Sequence, residues 1–256
     1  MSEPSSSAVA VVTGSASGIG RALVDACESR GMHVFAADIS SENPVDVSTR
    51  ADVEAFARSV YEQTDNVDFV FNNAGVMPVG ALVDTTDADW ARVIGVNLLG
   101  VMNVVRAFVP HLRGQPRRGH IVNTASLAGF APPTGARAGA YAATKAAVVS
   151  VSESLAHELQ PDGIGVSVVC PSGVATHIFE PERLPAEREA SDHPTMSVPD
   201  GLMEPAIAAR RILDGVLLGR FYVFTHTDDT VRQRLFGRWA AVEADFTAAA
   251  ERGPTC

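Results

Sequence analysis

Val9-Ala10-Val11-Val12-Thr13-Gly14-Ser15-Ala16-Ser17-Gly18-Ile19-Gly20 decides how the rest of this 256-residue chain is read. The apolar run Val9–Val12 suits a strand buried on both faces, and the amphipathic pattern of Gly18–Arg30 follows almost at once. Between them, glycines at 14, 18 and 20 permit a tight turn whose backbone N–H groups face a pyrophosphate at a helix N-terminus. The spacing is Gly-x-x-x-Gly-x-Gly rather than Gly-x-Gly-x-x-Gly, and no Gly-Lys-Ser/Thr follows, so this is not a P-loop. An ordinary strand-to-helix turn has the same look. Its place, after the first strand and before the first helix, favours the nucleotide.

The pattern repeats outward from there. Met32–Ala37, Val67–Phe71, His120–Thr124, Gly165–Cys170 and Arg220–Thr225 are further short apolar runs that predict strands. Arg50–Gln63, Asp87–His111, Ala140–Gln160, Glu204–Leu218 and Asp228–Ala249 predict helices. Strand and helix in alternation imply an α/β fold: one Rossmann-type, doubly wound parallel sheet with helices on both faces, spanning 1–256 as a single domain. Two stretches break the rhythm. Only seven residues separate Asp38 from Asp46, too few for a crossover helix, so the second βαβ unit is trimmed. Residues 172–203 lack periodicity and are read as a lid over a substrate site, with plain disorder as the other reading.

Composition removes several classes of function. Net charge is −10, which argues against nucleic acid or an anionic membrane as the main partner. Purely apolar runs fall far short of the about 18 residues of a membrane span, and no basic-then-apolar leader precedes Val9. Cys27, Cys170 and Cys256 are odd in number and far apart, which fits a reducing cytoplasm and no metal site. The cations are 19 arginines and one lysine, Lys145. A site that keeps an ammonium where guanidinium serves everywhere else needs the ammonium's compact chemistry, unless codon bias left it by chance.

Five residues carry candidate chemistry. Asp38, 18 residues past Gly20 at the end of the second strand, is placed to accept hydrogen bonds from adenosine ribose hydroxyls and to repel a 2′-phosphate, which favours NAD over NADP. Tyr141 and Lys145 share a helix face four residues apart, where the ammonium favours the phenolate and yields a general acid/base. Ser126 follows the strand His120–Thr124 at its carboxyl end, where its hydroxyl either holds a substrate oxygen or caps a turn. Asn97 lies inside an apolar helical stretch, where a buried amide needs partners, structural or functional.

Taken together, these residues resemble the short-chain dehydrogenase/reductases, over nearly the whole chain. Thr13–Gly20 looks like the family's TGxxxGxG turn, and Asn72-Asn73-Ala74-Gly75 like the NNAG motif after its fourth strand. Asn97, Ser126, Tyr141 and Lys145 fall where its tetrad belongs, and Pro171-Ser172-Gly173-Val174-Ala175-Thr176 is similar to its PGxVxT segment. The resemblance implies Tyr141 as acid/base, Lys145 as its activator and ribose holder, Ser126 orienting the substrate oxygen and Asn97 supporting a proton-relay water. It implies cofactor contacts from Gly14, Ser17, Gly18, Ile19, Gly20, Asp38, Ile39, Asp46, Val47, Asn73, Ala74 and Gly75, and from Tyr141, Lys145, Pro171, Gly173, Val174 and Thr176. Asp46 and Val47 would meet the adenine, and Val174 and Thr176 the carboxamide.

The chain departs from the family in three places. Ser172 replaces the glycine of PGxVxT, Ser126 and Tyr141 stand about two residues further apart than usual, and the Asp38–Asp46 trim unsettles the adenine side. Met77, Pro78, Leu127, Phe130, Pro132, Pro133, His177, Ile178 and Phe179 are the expected pocket walls, His177 alternatively being a solvated lid residue. They are mostly apolar, so a hydrophobic alcohol or its ketone is expected rather than a sugar. The resemblance of Trp90–Pro110, the chain end and the segment before Tyr141 to bacterial members that oxidise bulky secondary alcohols implies a substrate of that class. A biosynthetic ketoreductase using NADPH and a catalytically silent NAD-binding regulator are the alternatives; Asp38 argues against the first, Tyr141 and Lys145 against the second. The family implies a homotetramer or homodimer, and apolar and small residues around Val93–Pro110 and Ala140–Gln160 exceed what one buried face needs.

Overall fold

Every residue of β1, Val9–Thr13, is buried, which is what a strand at the centre of a two-sided sheet requires. In this computed structural model, residues 8–132, 138–179 and 201–251 are described. Six parallel strands pair in the order β2-β1-β3-β4-β5-β6. The other five are β2 His33–Ala37, β3 Phe69–Asn72, β4 His120–Thr124, β5 Gly165–Cys170 and β6 Tyr222–Phe224. All six sit where the sequence places them, within one or two residues at each end.

Side-chain alternation builds two cores. Val9 and Val11 of β1 point into one core with Val70, Ile121 and Val166. That core is covered by α2 Arg50–Tyr61, α4 Gly100–Gly114 and α5 Gly139–Leu159. Ala10 and Val12 point the other way, with Phe71, Val122 and Val169, beneath α1 Gly18–Glu28 and α6 Pro205–Leu217. The chain leaves β1 toward β2 on one side and β3 on the other, so a crevice opens between β1 and β3 at the carboxyl edge.

The trimmed connection is confirmed. Residues 38–49 form turns only, closed by Val45 N–H on the Asp38 carbonyl, and Asp46 begins no strand. The motif Asn72–Gly75 therefore follows the third strand of this sheet. One expectation needs correction: Asp87–His111 is not a single helix. It is α3 Asp87–Ile94, a π-helical turn Gly95–Leu99, and α4. This run reaches a mean hydropathy of 1.7, enough by length and composition for a membrane span, yet Val93, Val101, Val104 and Phe108 on it are buried within this fold. The last helix, α7 Asp229–Glu251, leaves the body early and buries only Val231.

Candidate active site

The glycine turn is locked to the turn after β3. Gly14 has φ +67°, and a Cβ there would lie 2.7 Å from Ala74 Cα. Gly18, at φ +55°, presses in the same way on Thr176, with its Cβ position 2.8 Å from Cγ2. Gly20 backs onto the Gly14 carbonyl, while Ser17 takes the N-cap position of α1 and Ile19 is half-buried. Thr13 Oγ1 accepts from the backbone N–H of Asn73 (3.0 Å) and of Ala74 (3.1 Å), and Asn73 Nδ2 donates to the Thr13 carbonyl (3.1 Å). Thr13 is thus the post joining the glycine turn to the turn after β3, a role its sequence motif hints at only by position.

On the expected adenosine side, the nearly buried Asp38 carboxylate accepts from Ala16 N–H (3.0 Å), Ser40 N–H (2.9 Å) and Ser40 Oγ (2.7 Å). It braces the glycine turn from the end of β2. Ile39 beside it is 63% exposed. Asp46 accepts from Ser48 N–H and Oγ, so it caps its own turn. Val47 is buried against Gly100, its carbonyl held by Asn103 Nδ2 at 2.9 Å. Any nucleotide contact from Val47 is therefore through its backbone.

The tetrad residues converge from three elements. Lys145 is 2% exposed, and its Nζ donates to the Thr124 carbonyl at the end of β4 (2.7 Å). Burial lowers its pKa from 10.5 to about 8. Its Nζ lies 5.6 Å from the centroid of the Tyr141 ring, one helical turn back. Tyr141 is half-buried; burial raises its pKa above 10.0, and the hydrogen-bonding Ser126 hydroxyl opposes that rise. Ser126 also caps the turn Leu127–Gly129 through Ala128 N–H (3.1 Å) and donates to the Pro171 carbonyl (3.3 Å). Ser126 is therefore a turn cap, and its hydroxyl also faces Tyr141. Gly129 lets that turn rest on the backbone of Lys145.

Asn97 sits in the π turn, fully buried. Its Oδ1 accepts from Val76 N–H (2.8 Å), and its Nδ2 donates to the Val76 carbonyl (2.9 Å) and to Thr144 Oγ1 (3.1 Å). The side chain is a clamp between the loop after β3 and α5. Thr144, which the sequence did not single out, is the other jaw and anchors itself on the Tyr141 carbonyl (2.8 Å). A Cβ on Gly75 would lie 3.4 Å from both Lys145 Nζ and Asn97 Oδ1. The chain thus leaves a bare strip from the glycine turn to Lys145, a cradle that fits a dinucleotide.

Beyond Pro171 and Gly173, both beside β5, Val174 is buried and bridges in parallel to Met203, with Ala175 N–H on the Met203 carbonyl (2.9 Å) and Met203 N–H on that of Gly173 (3.0 Å). These two ends of the expected lid are tied together; its residues 180–200 lie outside the described residues, as do Pro133 and the side chain of Phe179. Of the expected walls, Met77, Pro78, Phe130 and Ile178 are half-buried, while Pro132 and His177 are exposed. Leu127 is 1% exposed, far more buried than the other expected walls. Phe130 packs on Tyr222 and Phe224.

Sheet order, glycine turn and crevice define a dinucleotide-binding protein of the Rossmann type. A family model described as short chain dehydrogenase matches residues 8–186, and the chain belongs to that family, oxidoreductases that use a nicotinamide cofactor on a small-molecule substrate. It is 34% identical to the 1-deoxy-11-beta-hydroxypentalenate dehydrogenase of Streptomyces exfoliatus, over 88% of this chain and 85% of that one. It is 33% identical to the C alpha-dehydrogenase of a Sphingobium species, over 96% and 88%. Among solved structures, a short chain dehydrogenase/reductase from Burkholderia phymatum in complex with NAD is similar, with 36% identity, a TM-score of 0.81 and coverage of 91% and 94%.

Proposed function

We propose that this protein is an NAD-dependent dehydrogenase of bulky, largely apolar secondary alcohols, reducing the matching ketones in reverse, with Tyr141 as general acid/base. The observation that carries the reading is Lys145. The chain's single lysine is buried at a cost, on the Thr124 carbonyl, one turn from a tyrosine that faces a serine. A residue wanted only for packing would be apolar there.

The chain's groups divide the work as follows. The Lys145 ammonium lowers the cost of the Tyr141 phenolate, against the burial that raises its pKa. The phenolate takes the alcohol proton in oxidation and returns it in reduction. The Ser126 hydroxyl orients the substrate oxygen at Tyr141. Asn97 and Thr144 hold the loop of Val76 against α5, keeping the floor of the site in register. Gly14, Ser17, Gly18, Ile19 and Gly20 receive the cofactor's pyrophosphate, Asp38 and Ile39 its adenosine, with Asp46 and Val47 at the adenine, and Asn73, Ala74 and Gly75 line its path. Pro171, Gly173, Val174 and Thr176 hold its far end. When bound, the nicotinamide supplies the hydride acceptor.

NAD is favoured over NADP because the Asp38 carboxylate would repel a 2′-phosphate, and the Burkholderia phymatum relative was solved with NAD. The alcohol class is supported by the half-buried apolar walls and by a relative named for dehydrogenating a hydroxypentalenate. Assembly into a homodimer or homotetramer along α4 and α5, beside the exposed Ile94 and Leu99, belongs to the same reading. So does a cytoplasmic setting, with Cys27 and Cys170 buried as thiols.

The test is absorbance at 340 nm with NAD or NADP and a panel of aliphatic, aryl, alicyclic and steroid secondary alcohols, and with NADH or NADPH and the matching ketones. Turnover with NAD on one bulky class is expected. Tyr141→Phe should lower kcat by about 10²–10⁴-fold while NAD binding by calorimetry stays within about twofold. Near-normal turnover in that variant removes Tyr141 as the acid/base.

A further inference from the structure

Helix α7, 23 residues from Asp229 to Glu251, is anchored at one end only. Val231 is buried, Arg234 Nη2 donates to the Ala131 carbonyl (2.8 Å), and Arg238 Nη1 donates to the Phe130 carbonyl. Past Arg238 every side chain through Glu251 is exposed. Thirteen residues of helix, about 20 Å, run on without support from the described body. A helix of that length has marginal stability alone, and Gly237 lies just before it.

The exposed length is not polar. Phe236, Trp239, Val242 and Phe246 are 58%, 55%, 52% and 76% exposed. Leu235, Trp239, Val242 and Phe246 follow one another at intervals of four, three and four, the seam of a coiled coil. Past Asp229 at its first residue, the charges are sorted along the helix: Arg232, Arg234 and Arg238 in its first half, and Glu243, Asp245 and Glu251 in its second, with Arg238 and Asp245 directly flanking the seam. A helix with this order is complementary to itself when reversed.

We propose that α7 is an interface between copies of this chain: two α7 helices pair antiparallel about a two-fold axis. Trp239 then faces Val242 of the partner subunit, and Leu235 faces the partner's Phe246. Flanking the seam, Arg238 meets the partner's Asp245, and the two-fold repeats the pair. A parallel pairing would instead set Arg238 beside the partner's Glu243 and leave Asp245 without a cation, so the charge swap between positions 238 and 245 separates the two arrangements. The contact is separate from the α4 and α5 face, so the two together build a higher assembly than either alone.

Sedimentation equilibrium of the full chain over about 1–100 µM tests this, a range that reaches tenfold, or about 1.4 kcal/mol, to either side of about 10 µM. The wild type is expected as an even-numbered oligomer. Asp245→Arg, Arg238→Asp and Trp239→Glu should each halve the mass, with unchanged circular dichroism below 230 nm apart from some loss of α7 helix. The double variant Arg238→Asp/Asp245→Arg should regain the wild-type mass. A monomeric wild type overturns the proposal, as do single variants of wild-type mass. If the single charge reversals dissociate the oligomer and the double variant does not recover it, the antiparallel pairing is wrong. The readout is mass, so it stands apart from whether an alcohol substrate is found.

Discussion

Burying the Lys145 ammonium destabilises the fold and keeps a charge beside Tyr141. Its folded pKa of about 8 lies below the 10.5 of an ordinary lysine. Between those values the unfolded chain holds the proton more firmly than the folded one, so stability rises with pH through that window and the penalty is complete below it. At about 1.4 kcal/mol per unit, the penalty at pH 7 is on the order of 3 kcal/mol. Lys145→Met should therefore unfold at higher urea than the wild type at pH 7, by about 1–3 kcal/mol after loss of the bond to Thr124. The gap should close as pH approaches 10.5, and turnover should be lost throughout. A variant less stable at pH 7 would mean that the Thr124 bond outweighs burial. This residue was legible in the sequence because it is unique, and Tyr141 because it stands one turn away. Thr13 and Thr144 were not, because a threonine hydroxyl becomes a post only through partners some 60 and 47 positions distant.

Elements were legible where burial repeats locally. Strands β1 to β6 announce themselves by short apolar runs, and the Asp38–Asp46 trim by simple length. The π turn at Gly95–Leu99 did not show, because its apolar pattern continues that of α3 and α4. What selects it is Asn97, whose three hydrogen bonds go to Val76 and Thr144, elements that meet only in the folded chain. The glycine turn is the opposite case, with its geometry written in its spacing. Gly18→Ala should lower stability by about 1–2 kcal/mol for the left-handed backbone. The new methyl would also displace Thr176, so NAD affinity by calorimetry should fall at least tenfold. An unchanged affinity would show that the turn and Thr176 are not a shared cofactor wall.

For the whole molecule, acid is the revealing stress. His120 is buried, and its Nε2 lies 2.8 Å from Ser167 Oγ, whose proton is committed to the Arg220 carbonyl. His120 must therefore donate through Nε2 and stays neutral; burial lowers its pKa from 6.5 to about 4. The unfolded chain takes a proton that the folded one refuses between those values, so stability is lost as pH falls from 6.5 toward 4. The loss between pH 7 and pH 5 is about 2 kcal/mol. His120→Phe should flatten that limb of the urea-midpoint profile, and an unchanged slope would assign the acid sensitivity elsewhere. The global fold was legible because both cores are built from the same alternation along the strands, whereas the free-standing length of α7 was not, since an amphipathic pattern does not say whether a covering body is present. The solitary buried amine has a further use. Grown on isotopically labelled lysine, the protein carries a single NMR reporter, and its ammonium signal reads the ionisation and occupancy of the site without assignment of any other resonance. An amine-specific reagent likewise has one side-chain target in 256 residues, and because Lys145 is 2% exposed, its labelling reports opening of the fold around the site.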